Sequence, residues 1–246
     1  MRYLIITLAM IVTPYLVKAQ EGINFGAKYG YQNTWMLNKE DSDEGTELDY
    51  AKTFGSTYGL SMGYHFNETS GLKMDLLISK QGQKYDHYKD SSIAYQSERS
   101  VDYIKIPLYF SFNSDADNTV MFSAELGFYY SILNGSEVMV EDENVENPMK
   151  YSLRSQGISY KNSDSEDWED VYSSSNFGGL IGFGVAFNIA DHIRGFTKIR
   201  LEFAFNDAEE DQKAFDIQSN DTRRKDEITN QAVGGVQAGV RYFLSD

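Results

Sequence analysis

The sequence predicts an all-β protein, an eight-stranded antiparallel up-and-down β-barrel that spans a membrane, and three observations carry the prediction. Apolar and polar residues alternate through eight segments, the connections between these segments alternate in length, and aromatic residues gather near the segment ends. Successive side chains of a strand point to opposite faces, so each segment has one apolar face and one polar face. In a membrane barrel the apolar face meets lipid and the polar face lines the interior.

The first four predicted strands set large apolar side chains against small or charged ones. In the first strand, Phe25 and Tyr29 alternate with Gly26 and Lys28, and in the fourth, Ile104 and Ile106 flank Lys105. The second and third strands repeat the same alternation. These four strands are predicted at about residues 22–36, 55–66, 70–83 and 100–112.

The last four predicted strands follow the same rule, and the seventh strand shows it best. Ile199, Leu201 and Phe203 fall on one parity, whereas Lys198, Arg200 and Glu202 fall on the other. The inward parity of the sixth and eighth strands is rich in glycine, which leaves room for long side chains from neighbouring strands. These four strands are predicted at about residues 119–133, 175–189, 197–205 and 230–243.

The connections alternate between long and short along the whole chain. Barrels of the bacterial outer membrane have short periplasmic turns and long extracellular loops. The pattern therefore predicts an outer-membrane location, with both termini in the periplasm and the long loops at the cell surface. The predicted short turns are 67–69, 113–118 and 190–194, and the predicted long loops are 37–54, 84–99, 134–174 and 208–229.

The first nineteen residues have the features of a secretory signal peptide. Arg2 precedes an apolar stretch at 3–17, and Val17 and Ala19 supply the small residues that a signal peptidase requires. The stretch is shorter than the ~20 residues of a membrane-spanning helix, although an uncleaved anchor is the alternative. We therefore expect a signal peptide at 1–19 and an outer-membrane barrel domain at 20–246.

Nine charged residues fall on the inward parity of the predicted strands. An eight-stranded barrel is filled by its own side chains, and unpaired charges there are unfavourable. We expect these residues to form one ion-paired and hydrogen-bonded lumen network, which would make the barrel a poor channel. The predicted network consists of Lys28, Lys73, Asp75, Lys105, Glu125, Lys198, Arg200, Glu202 and Arg241.

The chain is strongly acidic, with a formal net charge of −15, and 26 of its 37 acids fall in the four predicted long loops. This charge argues against nucleic acid as a partner, because phosphate binding needs a basic patch. The expected partners are outer-membrane lipid and lipopolysaccharide, or an extracellular or secretion-system protein, with the barrel itself a monomer. The acidic segments 41–44 and 164–167 lack the spacing of a calcium loop, so we predict neither a metal site nor a cofactor.

Histidines give little support for an enzyme. His65, His87 and His192 have no nucleophile at a telling spacing. We predict no catalytic residues and no enzymatic activity. A lipid-modifying enzyme embedded in the barrel is kept as an alternative, because a barrel can assemble a site from distant strands.

Three short segments are distinctive: the opening Gly22–Gly30, the end of the third strand at Leu76–Gly82, and Tyr-Ile-Lys-Ile-Pro-Leu at 103–108. They resemble the PorT-like outer-membrane β-barrel proteins of Bacteroidetes-type bacteria. The resemblance implies a surface barrel without catalytic residues, and the founding member's link to type IX secretion offers a secretion-accessory role as an alternative. The long acidic loop at 134–174 departs from the family pattern. We expect a structural or surface-interaction platform.

Overall fold

The computed structural model describes 13 segments, which together contain 14 strands. The predicted signal peptide at 1–19 lies outside the described residues. The described residues are 22–37, 48–51, 53–67, 69–89, 92–114, 120–142, 149–154, 159–161, 168–170, 173–207, 214–215, 222–223 and 230–244.

Eight of the strands are long and form the barrel wall, each close to a predicted segment. They are β1 (Gly22–Leu37), β3 (Phe54–His65), β4 (Ser70–Lys89), β5 (Ser92–Asn113), β6 (Val120–Asp142), β10 (Ser175–Ala190), β11 (Ile193–Ala204) and β14 (Asn230–Phe243). The remaining strands are short and belong to the connections. They are β2 (Leu48–Ala51), β7 (Met149–Arg154), β8 (Ser159–Lys161), β9 (Trp168–Asp170), β12 (Ala214–Phe215) and β13 (Thr222–Arg223).

The wall is a closed antiparallel barrel. Its strands follow in the order β1, β3, β4, β5, β6, β10, β11 and β14, and β14 pairs with β1 to complete the ring. Closure joins the first and last strands of the wall, which a β-structure needs in order to sit in lipid. The predicted eight-stranded up-and-down fold is confirmed.

The two faces of the wall have opposite polarity, in the sense that the sequence predicts. Leu60 and Phe128 are 66% and 68% exposed on the outer face, whereas Asp75 and Glu125 are buried inside. The outer face thus carries a continuous band of aliphatic and aromatic side chains, here called the apolar belt. Helices play no part in this wall, and none in the described segments has the length and hydropathy to cross a membrane.

The lengths of the connections distinguish the two ends of the barrel. The short turns at 66–69 and 191–192 lie at one end, the turn rim, where Leu244 also donates its backbone N–H to Ile23 O at 2.9 Å. The Asn67 side chain closes the first turn by accepting from the backbone N–H groups of Thr69 and Ser70. The opposite end is the loop rim.

One predicted loop, 84–99, is wrong, because strands occupy almost all of it. β4 runs to Lys89 and β5 begins at Ser92, and the two strands pair as a hairpin up to Lys89 and Ser92. Similarly, β6 continues to Asp142 and pairs with β7. Charged residues hide the alternation there, but a hairpin that stands above the membrane does not require an apolar face because water solvates both sides.

These extensions form a sheet that continues past the apolar belt at the loop rim, here called the protruding sheet. It consists of β2, the ends of β4, β5 and β6 nearest the loop rim, and β7. Among the described side chains of β4 the last outward apolar residue is Ile78, and the strand goes on from Lys80 to Lys89. At ~3.3 Å per residue this adds about 30 Å of strand.

Candidate functional site

The barrel interior is the candidate site, and all nine predicted charges lie in it. Their residues are between 1 and 7% exposed, with Asp75 at 1% and Glu202 at 7%. The alternation of the strands explains this placement, because every one of them falls on the inward parity. β11 alone contributes three of the nine, Lys198, Arg200 and Glu202.

Arg200 crosses the lumen and joins acids from three strands. Its Nη2 donates to Glu125 Oε2 at 3.0 Å, and its Nη1 lies 3.4 Å from Asp75 Oδ2 and 3.9 Å from Glu202 Oε1. β11 and β4 are separated by three strands in either direction around the ring, so the contact with Asp75 spans the full width of the barrel. The guanidinium therefore obstructs the middle of the lumen.

Three lysines complete the ion pairs. Lys28 Nζ lies 2.5 Å from Asp75 Oδ2, and Lys198 Nζ lies 2.5 Å from Glu125 Oε2. Lys105 Nζ donates to Glu202 Oε2 at 2.6 Å. Charge-assisted hydrogen bonds of this length are the strong kind, and the low dielectric of the interior strengthens them further.

Arg241 and Lys73 have less complete pairing. Arg241 Nη2 lies 3.5 Å from Glu125 Oε1, which makes Glu125 the partner of three cations. Lys73 is 2% exposed, yet within the described part of the chain no carboxylate forms an ion pair with it. Eight of the nine predicted residues are thus joined in ion pairs, and Lys73 stands apart. With six cations and three acids, the nine residues carry a surplus of positive charge.

Aromatic rings hold the cations from the side, and the sequence analysis did not assign them to the network. Tyr109 donates its hydroxyl to Asp75 Oδ1 at 3.1 Å, and its ring centroid lies 4.7 Å from Arg200 Cζ. The ring of Phe196 lies 4.2 Å from Arg241 Cζ, and that of Tyr129 lies 4.6 Å from Lys105 Nζ. The cation–π geometry stabilises charges removed from water. The sequence signal that could have identified these rings is that each aromatic residue falls on the same inward parity as the charged residues.

The three histidines are divided between the two ends of the barrel. His65 is buried at the turn rim, where its Nδ1 lies 3.0 Å from Asn24 Nδ2. His192 is exposed in the turn between β10 and β11, whereas His87 belongs to β4 at the opposite end, with its side chain outside the described part. The barrel does not bring these three residues together.

No group of three or more His, Asp and Glu side chains within the described segments could hold a metal ion. The acidic fragments at 41–44 and 164–167 lie outside those segments. The chemistry that the described interior offers is therefore ion pairing and hydrogen bonding between fixed groups.

Comparison with known proteins decides the family. The model of the outer membrane protein beta-barrel domain matches residues 18–210. The chain belongs to this family. Its barrel is accordingly a bacterial outer-membrane protein, and the apolar belt faces lipid. The narrower resemblance to PorT-like proteins stays a prediction.

Several solved outer-membrane proteins are similar to the chain at low sequence identity. The chain is similar to OprG from Pseudomonas aeruginosa, with a TM-score of 0.45, 10% identity, and coverage of 93% of this chain and 99% of that chain. Neisserial surface protein A gives a TM-score of 0.44 at 13% identity, with coverage of 91% of this chain and 97% of that chain. Outer membrane protein W of E. coli gives a TM-score of 0.41 at 11% identity, with coverage of 92% of this chain and 100% of that chain. No curated protein sequence matches the chain.

Proposed function

We propose that this protein is a closed outer-membrane anchor that presents the protruding sheet and its acidic connections to a partner at the cell exterior. The observation that carries the proposal is the combination of an obstructed lumen with strands that continue past the belt. A pore needs an open interior, whereas a platform needs a rigid base and a surface above the membrane.

The obstructed lumen supports a base without transport. Arg200 and Asp75 join opposite walls, and Lys105 and Glu202 join β5 to β11 nearer the loop rim. An eight-stranded barrel has an interior that side chains fill. Because these side chains are also paired, opening a path for a solute would require breaking several buried ion pairs.

The protruding sheet supports an interaction role. Outer-membrane barrels carry their short turns in the periplasm, so the loop rim faces the exterior in this proposal. β2 and β7 are the outermost strands of the sheet, with β2 paired to β4 and β7 to β6. In the sequence, 26 of the chain's 37 acids fall in the four segments predicted as long loops, so we propose a basic protein surface as the partner.

Two measurements test the proposal separately. In planar bilayers, the protein is expected to produce no conductance steps beyond those of a protein-free membrane. Stable ohmic channels from the folded wild type would overturn the closed base. The second measurement concerns the surface: cells that display the wild type are expected to bind polylysine more strongly than cells displaying a variant lacking residues 137–170.

The loop deletion needs a folding control, which the barrel provides. Folded barrels migrate differently before and after heating, so unchanged heat-modifiable migration shows that the deletion leaves the wall intact. A control variant that keeps the length of 137–170 but replaces its acids by Asn and Gln is expected to lose polylysine binding as well. Equal binding by all three proteins would contradict an acidic interaction surface.

A further inference from the structure

The lumen network leaves positive charge in the half of the barrel nearest the turn rim. Lys73 forms no ion pair with a described residue, and Arg241 shares the carboxylate of Glu125 with two other cations. The carboxylate of Asp75 likewise already lies beside two cations. The acids of the network therefore do not balance Lys73 and Arg241.

The side chains of Lys73 and Arg241 lean toward each other across two glycines. In the ring, β3 and β1 separate β4 from β14. A Cβ on Gly63 of β3 would lie 2.9 Å from Lys73 Cγ, and a Cβ on Gly26 of β1 would lie 3.0 Å from Arg241 Cγ and 2.7 Å from Ser61 Oγ. Each cation thus lies over the strand next to its own, in the direction of the other. Among the charged groups around Lys73, Arg241 has the largest electrostatic effect.

Two serine hydroxyls flank Lys73 on the neighbouring strands. Ser61 on β3 lies opposite Asp75, two residues beyond Lys73, and Ser111 on β5 lies opposite Gly71, two residues before it. Such diagonal neighbours are within reach of a long side chain. Lys73, Arg241, Ser61 and Ser111 are here called the donor cluster.

The polar atoms of the donor cluster lack acceptors. Ser61 Oγ, Ser111 Oγ and Arg241 Nε are buried, and none of them has a hydrogen-bond partner among the described residues. Lys73 is 2% exposed, and no hydrogen bond joins it to a residue in the described part of the chain. Buried polar groups are nearly always paired, and an ammonium and a guanidinium can only donate. The cluster therefore requires an acceptor.

The surroundings of the donor cluster are described on every strand of the ring, and they contain one acid. That acid is Glu125, which already contacts three cations. The inward residues at and beside the cluster are Gly26, Ser61, Lys73, Ser111, Glu125, Gly184, Phe196 and Arg241.

We propose that the donor cluster binds a small inorganic anion, of the size of chloride, inside the barrel. Lys73 and Arg241 supply the positive charge, and the two serine hydroxyls donate hydrogen bonds. Water would bring donors of its own, whereas an anion only accepts and also offsets the surplus positive charge of the lumen. The anion is small because the interior of an eight-stranded barrel is only wide enough for its own side chains.

The dependence of stability on the anion tests the proposal with the full purified protein in a non-ionic detergent. Chloride replaces gluconate at constant ionic strength, so general screening of charges stays the same. A ligand that binds only the folded protein raises its stability, so the urea midpoint of the wild type is expected to rise with chloride and to saturate. A midpoint that does not depend on chloride would mean that water satisfies the donors, and the proposal would fail.

Substitutions assign the chloride effect to the donor cluster. Ser61→Ala keeps every charge and is expected to weaken chloride binding about tenfold, the equivalent of one hydrogen bond to a charged group. Ser131→Ala is the matched control and should respond to chloride as the wild type does, since the buried hydroxyl of Ser131 donates to Asn176 O at 3.1 Å.

Lys73→Met is expected to abolish the chloride response. The response is measured within this variant, so it does not depend on the stability of the variant in gluconate. Heat-modifiable migration checks the folding of each protein. A chloride response in folded Lys73→Met equal to that of the wild type would overturn the assignment.

Diffraction from crystals grown in bromide locates the ion, because bromide scatters anomalously and is close to chloride in size. An anomalous peak is expected inside the lumen, within hydrogen-bond reach of Lys73 Nζ and Arg241 Nε. Bromide peaks confined to the outer surface of the barrel would contradict the site.

Discussion

Arg200 and Asp75 stand on opposite walls of the barrel, and 3.4 Å separates Arg200 Nη1 from Asp75 Oδ2. The same guanidinium donates to Glu125 Oε2 at 3.0 Å, so one side chain ties three strands together across the lumen. A buried ion pair contributes little relative to a well-packed apolar pair, but removing one partner leaves an uncompensated charge. The wall and the lumen network therefore depend on each other.

Arg200→Met is expected to lower the free energy of unfolding by about 3 kcal/mol, because the buried carboxylates of Asp75 and Glu125 each lose a cation. Equilibrium urea unfolding in detergent micelles, followed by tryptophan fluorescence, measures the change. Lys84→Met on β4 beyond the belt is the control and should alter stability by less than about 0.5 kcal/mol. Indistinguishable stabilities for the two variants would show that the crossing contact contributes nothing.

Lys73→Met is expected to leave stability unchanged or raise it, because the substitution removes a buried ammonium that has no acid partner among the described residues. Lys28→Met is the matched comparison, since Lys28 is equally buried but pairs with Asp75 at 2.5 Å. It should destabilise the barrel by about 2–4 kcal/mol. The same unfolding assay applies, and a loss for Lys73→Met as large as that for Lys28→Met would contradict the reasoning.

Gly127→Ala is expected to destabilise the wall by about 1–3 kcal/mol through overpacking. A Cβ at Gly127 would lie 2.2 Å from Leu108 O and 2.5 Å from Tyr109 Cα, and backbone atoms on the neighbouring strand cannot easily move aside. Gly135 on the same strand has no heavy atom within 4 Å of the corresponding position. Gly135→Ala should therefore be neutral in thermal unfolding, and equal effects at both glycines would refute the packing argument.

Leu126→Arg is expected to destabilise the barrel in lipid vesicles by about 2–4 kcal/mol, the effect of an arginine at the bilayer midplane. Leu126 is 60% exposed on the outer face of β6, between the outward residues Phe122 and Tyr130 of the apolar belt. Val120→Arg is the control at the turn rim of the same strand, where the side chain can reach the interface and the effect falls to about 0–1 kcal/mol. Unfolding in vesicles and folding yield measure the destabilisation by each variant. A larger loss for Val120→Arg than for Leu126→Arg would contradict the depths assigned to the two residues.

The sequence was sufficient to predict the barrel wall, because the two-residue alternation of a strand decides which face each side chain takes. Lys198, Arg200 and Glu202 are inward for that reason alone. Which inward residues meet is a different matter: Lys105 and Glu202 are 97 positions apart, and strand tilt and register set their common level. Alternation therefore predicted a network but could not tell Lys28, which pairs with Asp75, from Lys73, which has no ion pair among the described residues.

The prediction of a loop at 84–99 was wrong for a different physical reason. Outside the membrane, backbone pairing alone can continue a strand, so Lys84 and Asp86 stay in β4 without an apolar partner face. The charged residues show where the apolar belt ends on β4, but they do not show where the strand ends. The point where β3 and β4 stop pairing, at Thr57 and Ser79, was not predicted either, because no residue pattern marks it.

Single-cysteine spin labels test the central claim most directly, because the chain has no native cysteine. Labels at positions 60, 128 and 201 sample three sides of the apolar belt in reconstituted vesicles. Each should collide readily with oxygen dissolved in the bilayer and hardly at all with a water-soluble nickel chelate. Strong collision with the chelate at these positions would mean that the apolar face does not meet lipid, and the account of a lipid-facing belt around a paired lumen would be contradicted.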